Sequence, residues 1–95
     1  MRKEVYVTFA QTGADNRSQG PGELVISKGF ISLHLPVNPW GENYSVKAFG
    51  NGMYQGVDER NPTISMKLAY IDEDTLVGIW IEDKDRYFIL VEILE

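Results

Sequence analysis

The chain has 95 residues, 43% of them hydrophobic and 24% charged, with no cysteine and a formal net charge of −5 at pH 7. This is the composition of one ordinary globular domain over residues 1–95, not of a disordered chain, and its core must hold without disulfides. Apart from Arg2-Lys3, the nine Lys and Arg are scattered singly, which argues against binding to nucleic-acid phosphates or to anionic membrane surfaces.

Met1-Arg2-Lys3-Glu4 leads straight into a strand-like run, and no stretch approaches the roughly 20 apolar residues that cross a bilayer. The expectation is a soluble, cytoplasmic protein. Glu4–Gln11 alternates Val5, Val7 and Phe9 with Tyr6 and Thr8, the pattern of a first strand. Thr12–Gly22, with three glycines and Pro21, has no periodicity and reads as a long mobile loop. Glu23–Leu35 reads as a hairpin turning at Lys28-Gly29, with Ile26 facing Ile31 and Leu24 facing Leu33.

Pro36–Asn43 breaks the strand pattern with two prolines and a glycine. Within it, Trp40 is either a plug closing one end of a barrel or an exposed anchor for a partner. Tyr44–Phe49 and Met53–Val57 suggest a hairpin around Asn51-Gly52, with Phe49 facing Tyr54 and Val46 facing Val57. Asp58–Pro62 is then a polar connection.

The C-terminal third holds three strand-like runs, Thr63–Ile71, Thr75–Glu82 and Arg86–Leu94, separated by short acidic breaks. A three-residue loop at Asp72-Glu73-Asp74 pairs Ile71 with Thr75, Tyr70 with Leu76, Leu68 with Gly78 and Met66 with Trp80. A two-residue turn at Asp83-Lys84 sets Trp80 opposite Tyr87 and Gly78 opposite Ile89. The inner face then comprises Ile64, Met66, Leu68, Tyr70, Leu76, Trp80, Tyr87, Ile89, Val91 and Ile93. Val77, Ile79, Ile81, Phe88 and Leu90 fall on the opposite face, and they too are apolar. A sheet apolar on both faces is normally covered on both. No window carries a helical period with a cap in front. The fold expected is all-β, an antiparallel meander of seven or eight strands forming a small barrel or sandwich.

Catalytic and metal chemistry find little to stand on. His34 is the sole histidine, so a histidine-rich metal site is excluded. No Gly-x-Ser-x-Gly elbow supplies a nucleophile for a triad. The acidic groups Asp72-Glu73-Asp74 and Glu82-Asp83-Asp85 cap opposite ends of one strand, roughly 25 Å apart at the usual strand rise. They read as solubilising turns. No pattern calls for a cofactor.

Leu76-Val77-Gly78-Ile79-Trp80, followed by Tyr87-Phe88-Ile89-Leu90, resembles the Gly-x-Trp strand and aromatic hairpin of calycin-type barrels, the lipocalin and avidin group. In that group the motif lies on the first strand, whereas here it lies near the end. The resemblance covers about twenty residues and implies a barrel with a small apolar ligand in its lumen. The residues themselves point first to a non-enzymatic interaction module of inhibitor or accessory type. Its partner-binding residues are Val77, Ile79, Ile81, Phe88, Leu90 and Trp40, and its partner is a second copy in a homodimer or a dedicated protein.

Overall fold

In a computed structural model, which describes residues 1–94, the alternating runs become eight antiparallel strands. They are β1 (Arg2–Gln11), β2 (Arg17–Ser27), β3 (Phe30–Leu35), β4 (Tyr44–Gly50), β5 (Met53–Asp58), β6 (Ile64–Asp72), β7 (Thr75–Glu82) and β8 (Asp85–Ile93). Each pairs with its neighbour in sequence, and β8 returns to β1 to close a barrel. Between β3 and β4 lies one short helical turn, α1 (Val37–Trp40), with non-helical dihedrals at Asn38.

Period-two alternation decides which side chains fill the barrel. Val5, Val7 and Phe9 of β1, Leu24 of β2, Ile31, Leu33 and Leu35 of β3, and Val46 and Ala48 of β4 are buried. So are Ile64, Met66 and Leu68 of β6, Leu76 and Trp80 of β7, and Ile89 and Val91 of β8. Tyr70, Tyr87 and Ile93, expected on the same face, are half-buried against this core. The interior is therefore filled by side chains.

Three expectations are corrected. Thr12–Gly22 is not one long loop, because Arg17–Gly22 belongs to β2 and pairs with β1, Val7 opposite Gly20 and Phe9 opposite Ser18. The β2–β3 ladder runs only from Glu23–His34 to Ser27–Phe30, so this half of β2 has a free edge where the missing N–H of Pro21 leaves no gap. The α1 turn occupies that edge: the Trp40 indole N–H donates to the Pro21 carbonyl at 2.8 Å. A Cβ on Gly20 would lie 2.8 Å from Pro39 Cγ and 3.1 Å from Trp40 Cζ2. The glycine is there to seat the turn.

The second correction concerns β4 and β5. Phe49 faces Gln55 and Val46 faces Asp58, one residue away from the expected register. Gly50 pairs with Tyr54, so three residues form the connection, with Gly52 in the left-handed region at φ +90. The slip turns Tyr54 inward and leaves Phe49 and Val57 outside. The third lies at the β6–β7 turn. Asp72, not Ile71, pairs with Thr75, and the register shifts between Tyr70 and Asp72. Ile71 is the extra, exposed residue of this bulge. It absorbs one position, so Tyr70–Leu76, Leu68–Gly78 and Met66–Trp80 keep their expected pairing. The β7–β8 register is as expected, Trp80 opposite Tyr87 and Gly78 opposite Ile89.

Candidate functional site

On the outer surface of β5–β8 the registers assemble rows of residues that run across the strands. Met53, Ala69, Val77 and Leu90 form one row, and Gln55, Lys67, Ile79 and Phe88 the next. Val57, Ser65, Ile81 and Arg86 form a third. Five of the residues singled out from sequence, Val77, Ile79, Ile81, Phe88 and Leu90, are thereby brought onto one face. Phe88 is 61% exposed, Ile79 40% and Met53 75%, while Val77, Ile81 and Leu90 are half-buried. Lys67 is the one cation among the first two rows. At the border of the face, Lys47 Nζ stands over the Phe30 ring at 4.2 Å and near the Phe49 ring at 5.5 Å, a contact that extends apolar surface under a charged tip.

Trp40 lies elsewhere. It packs edge to face on inward-pointing Phe9, ring centroids 5.3 Å apart, and so plugs one end of the barrel. At that end inward residues of β1, β2, β3, β4, β7 and β8 come together, and the aromatic ones cluster. Phe9 also meets Trp80 at 5.1 Å and Tyr87 at 6.1 Å, and Tyr44 meets Trp80 at 5.5 Å, all near-perpendicular. These contacts fix the orientation of each ring. Between the rings a cleft of about 210 Å³ opens to solvent, bordered also by Ser18, Leu35 and Glu82. Glu82 points inward because it stands two residues beyond Trp80 on the same strand, and its Oε1 accepts the Trp80 indole N–H at 3.2 Å. Burial pushes the Tyr44 hydroxyl up to about 12, with Glu82, then Glu42 and Asp58, adding to the rise. Tyr87 is raised by burial first and then by Asp85 and Glu82.

Beside this mouth, His34 Nδ1 and Ser45 Oγ are 3.0 Å apart across β3 and β4. Among the described residues no carboxylate is hydrogen-bonded to His34, so no third member completes a triad. The adjacent Asp58 is buried and accepts backbone N–H bonds from Ser45 at 3.0 Å, Arg60 at 2.8 Å and Asn61 at 3.1 Å. It organises the β5–β6 connection as an Asx turn. Among the described residues no group of three His, Cys, Asp or Glu is placed to hold a metal ion. No helix among them is long and apolar enough to cross a membrane.

Sequence reasoning missed Phe9, Tyr44, Glu82 and Tyr87 as neighbours of Trp40. The signal was present in part, since alternation puts Phe9, Trp80 and Tyr87 on the inner face. Their meeting at one end needs barrel closure, which pairs β1 with β8. No protein-family model matches this chain, and no curated protein matches it.

Proposed function

We propose that this chain is a protein-interaction module, not an enzyme, that associates with a second copy of itself through the outer face of β5–β8. The observation that carries this reading is the run of apolar side chains Met53, Ala69, Val77, Ile79, Phe88 and Leu90, contiguous across four strands and uncovered by any described part of the chain. Monomeric proteins rarely leave such a patch larger than a few hundred Å² in water. Two-fold pairing buries the same patch on both subunits with one set of residues. The calycin-like alternative, a small apolar ligand held in the lumen, gains less support, because Leu24, Ile31, Leu33, Met66 and Leu68 already fill the lumen.

The test is sedimentation velocity of the wild type and of Ile79→Lys over a wide range of concentration. The expected result is a dimer for the wild type and a monomer for the variant, with unchanged circular dichroism, since Ile79 points away from the core. A wild type that remains monomeric throughout would overturn self-association and leave the face to a different protein partner.

A further inference from the structure

The cleft at the barrel mouth is more than an apolar hollow. Its floor is Phe9 and Trp80, both nearly inaccessible, and its walls are the half-buried Trp40, Tyr44 and Tyr87. Aromatic rings carry negative faces. A carboxylate, Glu82, stands among them and is held in place by the Trp80 indole N–H. No cation among the described residues is paired with it: their one ion pair is Arg2–Glu23, at 3.6 Å. Arg17 and Arg86, near the same rim, pair with Ala10 and Ile81 and so belong to the outward-facing set. Burial raises the Tyr44 and Tyr87 hydroxyls first, and Glu82 adds to the rise of both.

We propose that this cleft binds an organic cation of the quaternary-ammonium class, enclosed by Trp40, Tyr44 and Tyr87 and neutralised by Glu82. The chemistry selects that class on two grounds. An apolar neutral ligand would take water from Glu82 and leave its charge with the Trp80 N–H but no counter-ion, which is unfavourable. A primary ammonium or a guanidinium carries several N–H donors, whose bonds to water the Glu82 carboxylate and the Ser18, Tyr44 and Tyr87 hydroxyls of the cleft would have to replace together. A quaternary ammonium has no donor to satisfy, is weakly hydrated, and is attracted to ring faces. A cleft of about 210 Å³ that is open on one side takes the cationic head and lets the rest of the molecule extend into solvent. This site is at the end of the barrel and does not rest on the association proposed for its outer wall.

The experiment is isothermal titration calorimetry with choline, set against neohexyl alcohol, its neutral isostere with carbon in place of nitrogen. Tryptophan fluorescence provides a second readout, since Trp40 and Trp80 both border the cleft. Choline is expected to bind one to one and about tenfold or more tighter than the alcohol. Glu82→Gln keeps an oxygen to accept the Trp80 N–H, and so keeps the fold. It is expected to weaken choline binding about tenfold while leaving the alcohol unaffected. Equal affinity for choline and the alcohol would make the cleft a plain apolar pocket and overturn the proposal. Absence of heat and of any fluorescence change with choline at tens of millimolar would overturn it as well. So would wild-type affinity in Glu82→Gln.

Discussion

Trp80 does two jobs from one position. It is 2% exposed, packs edge to face against Phe9 and Tyr44, and anchors Glu82 through its indole N–H. Trp80→Ala is expected to destabilise the protein by about 3–5 kcal/mol, the range for truncating a buried large aromatic. Equilibrium urea unfolding measures it, and a loss below about 1 kcal/mol would contradict the interior placement. Tyr44, at the same mouth, gives a prediction in pH. An unfolded tyrosine ionises near 10, whereas in the folded chain burial, then Glu82, Glu42 and Asp58, push Tyr44 to about 12. The folded chain thus keeps a proton that the unfolded chain releases. Its contribution to stability is fully present below pH 10 and is lost as pH rises toward about 12. Tyr44→Phe is expected to remove the latest-titrating tyrosinate step from an ultraviolet titration. It should also make unfolding less dependent on pH in that alkaline window. An unchanged titration would show that Tyr44 is not the shifted group.

At the scale of elements, strands were legible wherever alternation and a short turn agreed. Ile26–Ile31, Leu24–Leu33, Met66–Trp80 and Trp80–Tyr87 were all readable as pairs from spacing alone, because a one-residue slip would turn an apolar set outward. Arg17–Gly22 was not readable. Gly20, Pro21 and Gly22 look like breakers in sequence, and their place in a strand makes sense only once α1 is seen seated on that edge. The β4–β5 register was equally hidden, because Gly56 faces Ala48 and presents no side chain to reveal its direction. A Cβ on Gly56 would lie 1.9 Å from the Lys47 carbonyl oxygen, and one on Gly78 would lie 1.7 Å from that of Lys67. At both glycines the neighbouring backbone comes too close for any side chain, which lets the wall bend sharply into a small barrel. Gly78→Ala must push β6 and β7 apart, because the obstacle is backbone and not a movable side chain. The expected loss is about 3 kcal/mol or more, the upper part of the range for overpacking. Thermal and urea unfolding decide it; a variant as stable as the wild type would mean that the two strands separate easily there.

For the whole molecule, closure settles which surfaces remain for association. With β8 paired to β1, the barrel offers no complete edge strand for another chain to extend, and the half-edge of β2 is occupied by the Trp40 turn. Association is therefore left to side-chain faces. The outer wall of β5–β8 is the apolar one, and it was foreseeable because β7 and β8 are apolar at inward and outward positions alike. What spacing alone left open was whether another part of the chain would cover that wall. Eight strands consumed in one ring leave no second layer, so the described chain does not. If two copies pair there, folding and association are linked by mass action. The melting temperature of the wild type is then expected to rise by a few degrees for each tenfold increase in protein concentration. That of Ile79→Lys should stay constant at the value the wild type approaches on dilution. Calorimetric scans over a hundredfold range of concentration separate the alternatives. A wild-type melting temperature independent of concentration, together with an Ile79→Lys variant of equal stability, would show a face that the protein leaves in water, and the dimer would have to be given up.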